Sequence, residues 1–340
     1  MPTGKRDSAG ARAGGSAVTA QSRQPTASET YRRVVRLLEA GDIVILDGGI
    51  GSELERVGYP SERNIDLLWG TRALYEAPEL TKEVHRRYVR SSADVITTNT
   101  WRIDGVPKAQ ALGLIDPDPS WQEAARLGVG LARDAARELG RGEECAIAFS
   151  LFLEPVDPSF VPELAEAVAR AEPDLILVET AETIPEDLEF PGYDALLGTG
   201  LPLWVSYRWT ADGPPDLSHI GIGPPAATPE GGGELFGRAA ERFERMGVSA
   251  VLINCLPPEC VPDTLPMLRR HTRLPLGVYP NLGTWINPGW QFDETATPES
   301  FLADALRWRH EEGASIIGGC CGTTADHIAL LSRGLRIESP

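Results

Sequence analysis

The chain has 340 residues, of which 42% are hydrophobic and 24% charged, a composition typical of a globular protein with one large domain or two ordinary ones. Its formal net charge of -17, from 49 acidic and 32 basic side chains, argues against nucleic acid and anionic lipid as partners. No stretch approaches the roughly 18 apolar residues that a membrane span needs, and the N-terminal stretch lacks the apolar segment of a secretory signal. We therefore expect a cytoplasmic protein that does not contact membranes.

Residues 1–28 are rich in Ser, Gly, Ala and Thr and contain few large apolar side chains. Such a segment cannot bury enough apolar surface to offset the entropy lost on ordering. The sequence therefore predicts a disordered N-terminal tail over 1–28 and a folded region over 29–340.

Short, mostly apolar runs with many β-branched residues recur through the folded region and alternate with segments of helical periodicity. The eight runs are 43–47, 94–98, 146–150, 174–179, 203–207, 250–254, 276–279 and 314–319. Strands that are apolar throughout are typical of a parallel sheet that is buried on both faces. Eight such strand and helix units predict an α/β fold, a single (β/α)8 TIM barrel, with the Pro- and Gly-rich segment 212–234 as a long loop after the fifth strand.

Chemically useful side chains stand where several of these strands end, and the active site of such a barrel lies at the carboxyl ends of its strands. Asp47 ends the first run, Glu179 ends the fourth, and Cys255 follows the sixth. Cys320 and Cys321 directly follow the glycine pair that ends the eighth. We expect these side chains to share one rim.

The chain has five cysteines and no sign of secretion, so a disulfide framework is not expected and a metal site or catalysis gains weight. Three thiolates on one rim suit a catalytic zinc site, in which three protein ligands leave the fourth position open. The other two, Cys145 within a strand and Cys260 beside prolines, are interpreted as packing residues. We interpret none of the five histidines as catalytic.

Two further residue types at the rim have a structural and a functional interpretation. Asp47 and Glu179 could cap a helix or form a buried ion pair, or they could bind an ammonium group beside the metal. Trp69 could be a packing residue, or its indole face could contact a cationic methyl donor.

Several motifs occur in the order and spacing of the homocysteine S-methyltransferase family, which the chain resembles over residues 41–335. The motifs are ILDGGIGSELERVGY, LWGTRALYEAPELTKEVHRRYVRSSADVITTNTW, LILVET, VLINC, VYPNLG and IIGGCCGTT. The resemblance implies a zinc-dependent (β/α)8 enzyme that transfers a methyl group from a small-molecule donor to the thiol of homocysteine, giving methionine.

The resemblance also implies a role for each matching residue. Cys255, Cys320 and Cys321 would be the zinc ligands, and Asp47 and Glu179 would hold the amino group of homocysteine. The remaining predicted substrate contacts are Gly48 and Gly49 near the carboxylate of homocysteine, Thr98 and Asn254 in the pocket, and Trp69 facing the methyl donor.

Three stretches depart from the family pattern and leave the donor open. The loop after the third strand lacks the family's Gly-Pro segment, Arg102 stands where relatives have a smaller polar residue or tyrosine, and SYRWTADG replaces the usual stretch after the fifth strand. Because a cationic methyl is already activated and Trp69 can contact it, we favour a sulfonium such as S-methylmethionine or S-adenosylmethionine over betaine, and both over methylfolate. A different thiol or selenol acceptor, a redox dithiol enzyme and a non-catalytic zinc protein are the alternatives.

Overall fold

The structure is a computed structural model that describes residues 27–60, 67–154, 156–214, 231–286, 289–292 and 296–337. The predicted tail lies outside these ranges except for Ala27 and Ser28. Most of the predicted long loop, residues 215–230, lies outside them as well. The prediction of a disordered tail and that of a long loop therefore stay predictions.

Eight parallel strands form the central sheet, in the order β1-β10-β7-β6-β5-β4-β3-β2. The described residues contain ten strands in all, of which β8 and β9 lie outside this sheet. They are β1 (Val44–Ile45), β2 (Val95–Thr97), β3 (Ala146–Leu151), β4 (Leu175–Ala181), β5 (Leu203–Tyr207), β6 (Ala250–Asn254), β7 (Leu276–Tyr279), β8 (Gly283–Ile286), β9 (Gly289–Phe292) and β10 (Ile316–Ile317). The two ends of the sheet meet where Leu46 pairs in parallel with Val95 and the Asp47 amide donates to the Val95 carbonyl at 3.1 Å. The fold is the predicted (β/α)8 barrel, and each predicted strand overlaps one observed barrel strand, with β3 and β4 ending one and two residues later than predicted.

Helices connect the strands and surround the barrel. They are α1 (Glu29–Glu39), α2 (Ile50–Arg56), α3 (Ala73–Glu76), α4 (Pro78–Arg90), α5 (Val106–Ala111), α6 (Trp121–Glu138), α7 (Val161–Ala171), α8 (Tyr193–Gly198), α9 (Gly232–Met246), α10 (Val261–Arg269), α11 (Pro298–His310) and α12 (Ala325–Ile337). Their starts follow local chemistry, as in α6, where Ser120 and Glu123 form a reciprocal capping box. Within the described ranges, no helix has the length and apolar character that crossing a bilayer requires.

The strands are buried on both faces, as their apolar composition predicted. Every residue of β3 and β5 is buried, and successive side chains alternate between two hydrophobic clusters. Ala146 and Ala148 face the barrel interior, whereas Ile147 and Phe149 pack against the surrounding helices. In β4 the two residues that are only partly buried are Glu179 and Thr180, at the end of the strand where the candidate site lies.

Helix α1 closes the amino-terminal end of the barrel. Its Tyr31 packs against Trp204 of β5 inside the barrel, with ring centroids 6.3 Å apart, and the Trp204 indole N–H donates to the Tyr31 hydroxyl at 3.1 Å. The indole of Trp204 is fully buried, so its donor needs this partner. The tyrosine and the tryptophan form the floor of the barrel, below the candidate site.

Asp94, directly before β2, stabilises the contact between β1 and β2 that closes the barrel. Its carboxylate accepts hydrogen bonds from the Ile45 amide at 2.9 Å, from Arg33 of α1 at 2.9 Å and from Arg336 of α12 at 2.8 Å. The first strand and the first and last helices are therefore tied to one buried charge. Because this face is remote from the strand ends that carry the candidate site, we interpret Asp94 as a stabilising residue.

Two elements near the rim have no counterpart in the prediction. Strands β8 and β9 form a separate antiparallel hairpin after β7, and the short helix α2 follows the first strand. Each inserts between units of the barrel without changing the order of its strands.

Candidate active site at the carboxyl ends of the strands

Three cysteines from two different strand ends converge at the rim. Cys255 directly follows β6, and Cys320 and Cys321 follow β10. Their sulfur atoms all lie within 4.8 Å of one another, and those of Cys320 and Cys321 are 3.9 Å apart. Asn281 contacts two of the three, since its Nδ2 donates to the Cys255 sulfur at 3.6 Å and its Oδ1 accepts from the Cys321 amide at 3.1 Å.

The spacing of these sulfurs suits a tetrahedral metal. A Zn–S distance of about 2.3 Å implies ligand sulfurs about 3.8 Å apart, close to what Cys320 and Cys321 already have. Hydrogen bonds from Cys320 and Cys321 lower the pKa of the Cys255 thiol well below its usual range, so the cluster favours a thiolate. Among the described residues, Cys255, Cys320 and Cys321 are the one group of side chains close enough together to hold a metal ion. Cys145 and Cys260 are not part of this group.

Unusual backbone geometry accompanies the cluster. Cys255 has φ 55° and Thr180, at the end of β4, has φ 60°, both in the left-handed region that non-glycine residues rarely adopt. Asn254 stabilises the second of these, because its Oδ1 accepts from the Thr180 amide at 3.1 Å and its Nδ2 donates to the Thr180 hydroxyl at 2.9 Å. Backbone strain of this kind costs about 1 to 3 kcal/mol per residue and is found mainly at functional sites.

Asn254, predicted to contact substrate, is fully buried and does not line the cavity. Besides Thr180 it contacts Ser206, whose hydroxyl donates to the same Oδ1 at 2.7 Å. Its amide therefore has its partners within the protein and positions the end of β4.

Asp47 and Glu179 lie deep in the same cavity and are held by neutral groups. Asp47 accepts from the Thr97 amide at 2.7 Å and from the Thr97 hydroxyl at 3.1 Å. Glu179 accepts from the Ser150 hydroxyl in a short hydrogen bond and from the Tyr279 hydroxyl at 3.1 Å. Among the described residues, no arginine, lysine or histidine is within ion-pair distance of either carboxylate.

Burial disfavours the charged form of both acids. It raises the pKa of Asp47 well above its usual range, and the negative charge of Glu179 raises it further against the hydrogen bonds from Thr97. Burial also raises the pKa of Glu179 to about 7, although the hydrogen bonds from Ser150 and Tyr279 lower it. The two acids therefore form an acidic pair in a place where a positively charged group would be stabilised.

Main-chain atoms of a neighbouring loop occupy the space that side chains at Gly48 and Gly49 would need. A Cβ atom at Gly49 would lie 2.5 Å from the Cys320 carbonyl oxygen, and one at Gly48 would lie 2.7 Å from the Thr323 carbonyl oxygen. The absence of side chains here lets the first strand end pack directly on the loop that carries Cys320 and Cys321. Both glycines also line the cavity.

An aromatic wall, formed by Trp69, Trp101 and Phe152, lines one side of the cavity. Trp101 stacks on Phe152 with ring centroids 5.0 Å apart, and Trp69 meets Trp101 edge to face at 6.0 Å. The guanidinium of Arg102 lies 5.9 Å from the Trp101 centroid and pairs with Asp104 at 3.2 Å. The charge of Arg102 is therefore partly neutralised by a neighbouring acid.

These residues surround a single cavity of about 500 Å³. All of the predicted site residues except Asn254 line this cavity. Thr98 lines it, but its hydroxyl contacts Thr100 at 2.6 Å and accepts from the Ser150 amide at 3.1 Å.

The lining residues that we did not predict as site residues are Ser150, Phe152, Glu182, Arg208 and Tyr279, among others. Most of them end a barrel strand or follow one, so their position at a strand end was the signal that could have identified them. Whether such a side chain points into the cavity depends on the strand register, which the sequence does not show.

Comparisons with known proteins agree with this arrangement. The family model described as homocysteine S-methyltransferase matches residues 44–335. Homocysteine S-methyltransferase YbgG of Bacillus subtilis is 28% identical, with 87% of this chain and 95% of that protein covered. Selenocysteine methyltransferase of Astragalus bisulcatus is 27% identical, with 86% and 92% covered.

A solved structure is similar along nearly the whole fold. The metallated form of the homocysteine methyltransferase MmuM from Escherichia coli superposes with a TM-score of 0.66 and 26% identity, covering 88% of this chain and 99% of that one. The family match spans most of the barrel and includes all three clustered cysteines. The chain belongs to the homocysteine S-methyltransferase family.

Proposed function

We propose that this protein transfers a methyl group from a small sulfonium donor to the thiol of homocysteine in a zinc-dependent reaction that gives methionine. The observation that carries the proposal is the convergence of three cysteine sulfurs and the carboxylates of Asp47 and Glu179 on one cavity. A metal held by three thiolates leaves one coordination position for a substrate atom. Family membership supports the reaction class.

Zinc bound to Cys255, Cys320 and Cys321 would act as a Lewis acid that favours the thiolate over the thiol of the acceptor, whose free pKa is near 8.5. Asn281 would hold this ligand set in place, because it contacts both strand ends that supply it. Outer contacts of this kind orient ligands and contribute to metal affinity.

Asp47 and Glu179 would bind the ammonium group of the acceptor. Each carboxylate has only neutral hydrogen-bond donors around it, so an ammonium supplies the missing positive charge. The backbone at Gly48 and Gly49 would accommodate the acceptor's carboxylate. These contacts orient the sulfur toward the cysteines, and orientation is a large part of the rate advantage of an enzyme-bound reactant.

The aromatic wall would receive the donor. A sulfonium carries positive charge next to the methyl group that is transferred, and an indole face attracts such a cation. Transfer to a thiolate neutralises both partners, so a cavity that excludes water favours the reaction. Asp104 limits the repulsion that Arg102 would exert on a cationic donor.

A donor screen tests the proposal. Zinc-loaded protein is incubated with homocysteine and S-methylmethionine, S-adenosylmethionine, betaine or methylfolate, and methionine is measured by mass spectrometry. We expect turnover with a sulfonium and little with methylfolate. Selenocysteine as acceptor tests the alternative suggested by the relative of that name. Turnover with methylfolate alone, or no transfer to any thiol, would contradict the proposal.

Trp69→Ala is expected to raise the apparent KM for a sulfonium donor about 5- to 30-fold, because a desolvated cation–π contact contributes about 1 to 2 kcal/mol. The KM for homocysteine serves as the internal control and should change little. The donor KM of Trp69→Phe, which keeps an aromatic face, should lie between the donor KM of wild type and that of Trp69→Ala. An unchanged donor KM in Trp69→Ala would exclude this contact.

Gly49→Ala is expected to weaken zinc binding about 10- to 100-fold, a typical effect of disturbing the surroundings of metal ligands. The new Cβ atom would clash with the main chain of Cys320. The matched control is Gly130→Ala in α6, where a Cβ meets no atom within 4 Å. Competition with a chromophoric chelator measures both affinities, and equal zinc affinity in the two variants would contradict the prediction.

A further inference from the structure

Arg208 is a buried cation on the cavity wall, and one of its donors has no partner among the described residues. It follows β5, is 3% exposed and lines the cavity. Its Nη2 forms a short hydrogen bond with Glu182, whereas its buried Nε has no hydrogen-bond partner among the described residues. Burying a charged group with an unsatisfied donor is costly, so a second anionic partner is expected from the ligand.

The local structure holds this guanidinium in place. The Arg208 amide donates to the Ala181 carbonyl at 2.8 Å, which fixes the end of β5 against the end of β4. Glu182, its carboxylate partner, is itself positioned through its main-chain amide, which donates to Glu154 in a short hydrogen bond. Glu182 is 35% exposed in its side chain, so the ion pair lies between the buried wall and the cavity opening.

Arg102, the other arginine on the cavity wall, already has a carboxylate partner. Its Nε and Nη2 contact the two carboxylate oxygens of Asp104 at 3.2 and 3.5 Å. Its guanidinium carbon lies 5.9 Å from the ring centroid of Trp101 and 5.7 Å from that of Phe152. The fork of Arg102 is therefore already matched to a carboxylate, whereas Nε of Arg208 has no partner among the described residues.

We propose that Arg208 binds the carboxylate of the methyl donor and thereby selects donors that carry a carboxylate away from the cationic methyl-bearing centre. A guanidinium fork matches a carboxylate in shape and charge. Strands β1 and β5 are opposite each other in the barrel, and Trp69 follows the first while Arg208 follows the second. A donor with its cation at Trp69 and its carboxylate at Arg208 spans the cavity.

This inference rests on the proposed function for the position of the acceptor. In that proposal the charged groups of the acceptor are bound by Asp47, Glu179 and the glycine pair after β1. Arg208 is the buried cation among the described lining residues that the acceptor does not use, so it is available to the second substrate. Glu182 is then a positioning residue that acts through Arg208.

The test compares two probes in zinc-loaded protein, S-methylmethionine and (3-aminopropyl)dimethylsulfonium, which has the same sulfonium and ammonium groups but no carboxylate. We expect wild type to prefer S-methylmethionine by about 10- to 100-fold in kcat/KM, the range of one charge-assisted pair. Arg208→Gln should bring this ratio close to one by raising the donor KM, with the homocysteine KM retained. Arg208→Lys should restore part of the preference, and Arg102→Gln should leave the ratio high.

Several outcomes would overturn the inference. They are an unchanged ratio in Arg208→Gln, a rise in the homocysteine KM instead of the donor KM, or loss of the ratio in Arg102→Gln. Calorimetric binding of S-methylmethionine to zinc-loaded wild type and Arg208→Gln gives a readout without turnover. Equal binding by both proteins would refute the role of Arg208 even if the transfer reaction differs from the proposed one, and transfer to homocysteine with no preference between the probes would refute it while leaving the proposed function standing.

Discussion

Cys255→Ala is expected to lose both the bound zinc and methyl transfer, whereas the wild-type protein should hold about one zinc per chain. The variant keeps two of three clustered sulfurs, and a metal with two protein ligands is held far less tightly than one with three. Elemental analysis of the purified proteins measures the metal, and methionine formation measures the activity.

The chain supplies its own control for this experiment. Cys260 is a partly buried free thiol five residues along the chain from Cys255, outside the sulfur cluster. Cys260→Ala should therefore retain zinc and activity. Full zinc occupancy in a Cys255→Ala, Cys320→Ala double variant would show that the ligands are elsewhere.

Glu179→Gln is expected to lower kcat/KM for homocysteine about 10- to 100-fold while zinc content stays at the wild-type level. Glutamine preserves the size of the side chain and can still bond to Ser150 and Tyr279, so the change removes mainly the negative charge. A hydrogen bond to a charged group contributes about 1.5 to 3 kcal/mol, which sets the size of the effect.

Tyr279→Phe is the matched comparison for the glutamate variant. It removes one neutral donor to Glu179 and leaves the charge, so we expect a loss of about 5-fold from a net contribution near 1 kcal/mol. Steady-state kinetics with varied homocysteine separates the two variants. If acceptor kinetics in Glu179→Gln equalled those of wild type, the ammonium-binding role of this residue would have to be abandoned.

The barrel could be predicted because its strands have a strong local signal. Runs such as 146–150 and 203–207 are apolar at consecutive positions, and only burial on both faces tolerates that pattern. Counting eight of them predicts the closed sheet, and the rule that strand ends carry chemistry then groups Asp47, Glu179 and the three cysteines. In the structure these residues do line one cavity.

The rest of the site depends on features that a local pattern does not contain. Whether Arg208 reaches the cavity depends on strand register, and the left-handed backbone at Thr180 depends on an amide that lies 74 positions away in Asn254. The family resemblance implied a substrate contact for Asn254, whereas its side chain bonds to Ser206 of β5 and Thr180 of β4. The hairpin of β8 and β9 belongs to an insertion that the barrel repeat does not require.

The floor made by Tyr31 and Trp204 bears on the order in which substrates bind. In the part of the chain that the structure describes, side chains fill the barrel below the cavity, so in the proposed reaction both substrates enter from the strand ends. Under the proposed function the acceptor occupies the inner position beside the cysteines and the donor the outer one. The acceptor then has to arrive first, and the methylated product leaves only after the spent donor. Such an enzyme follows an ordered sequential scheme, and an excess of donor that enters before the acceptor acts as an inhibitor.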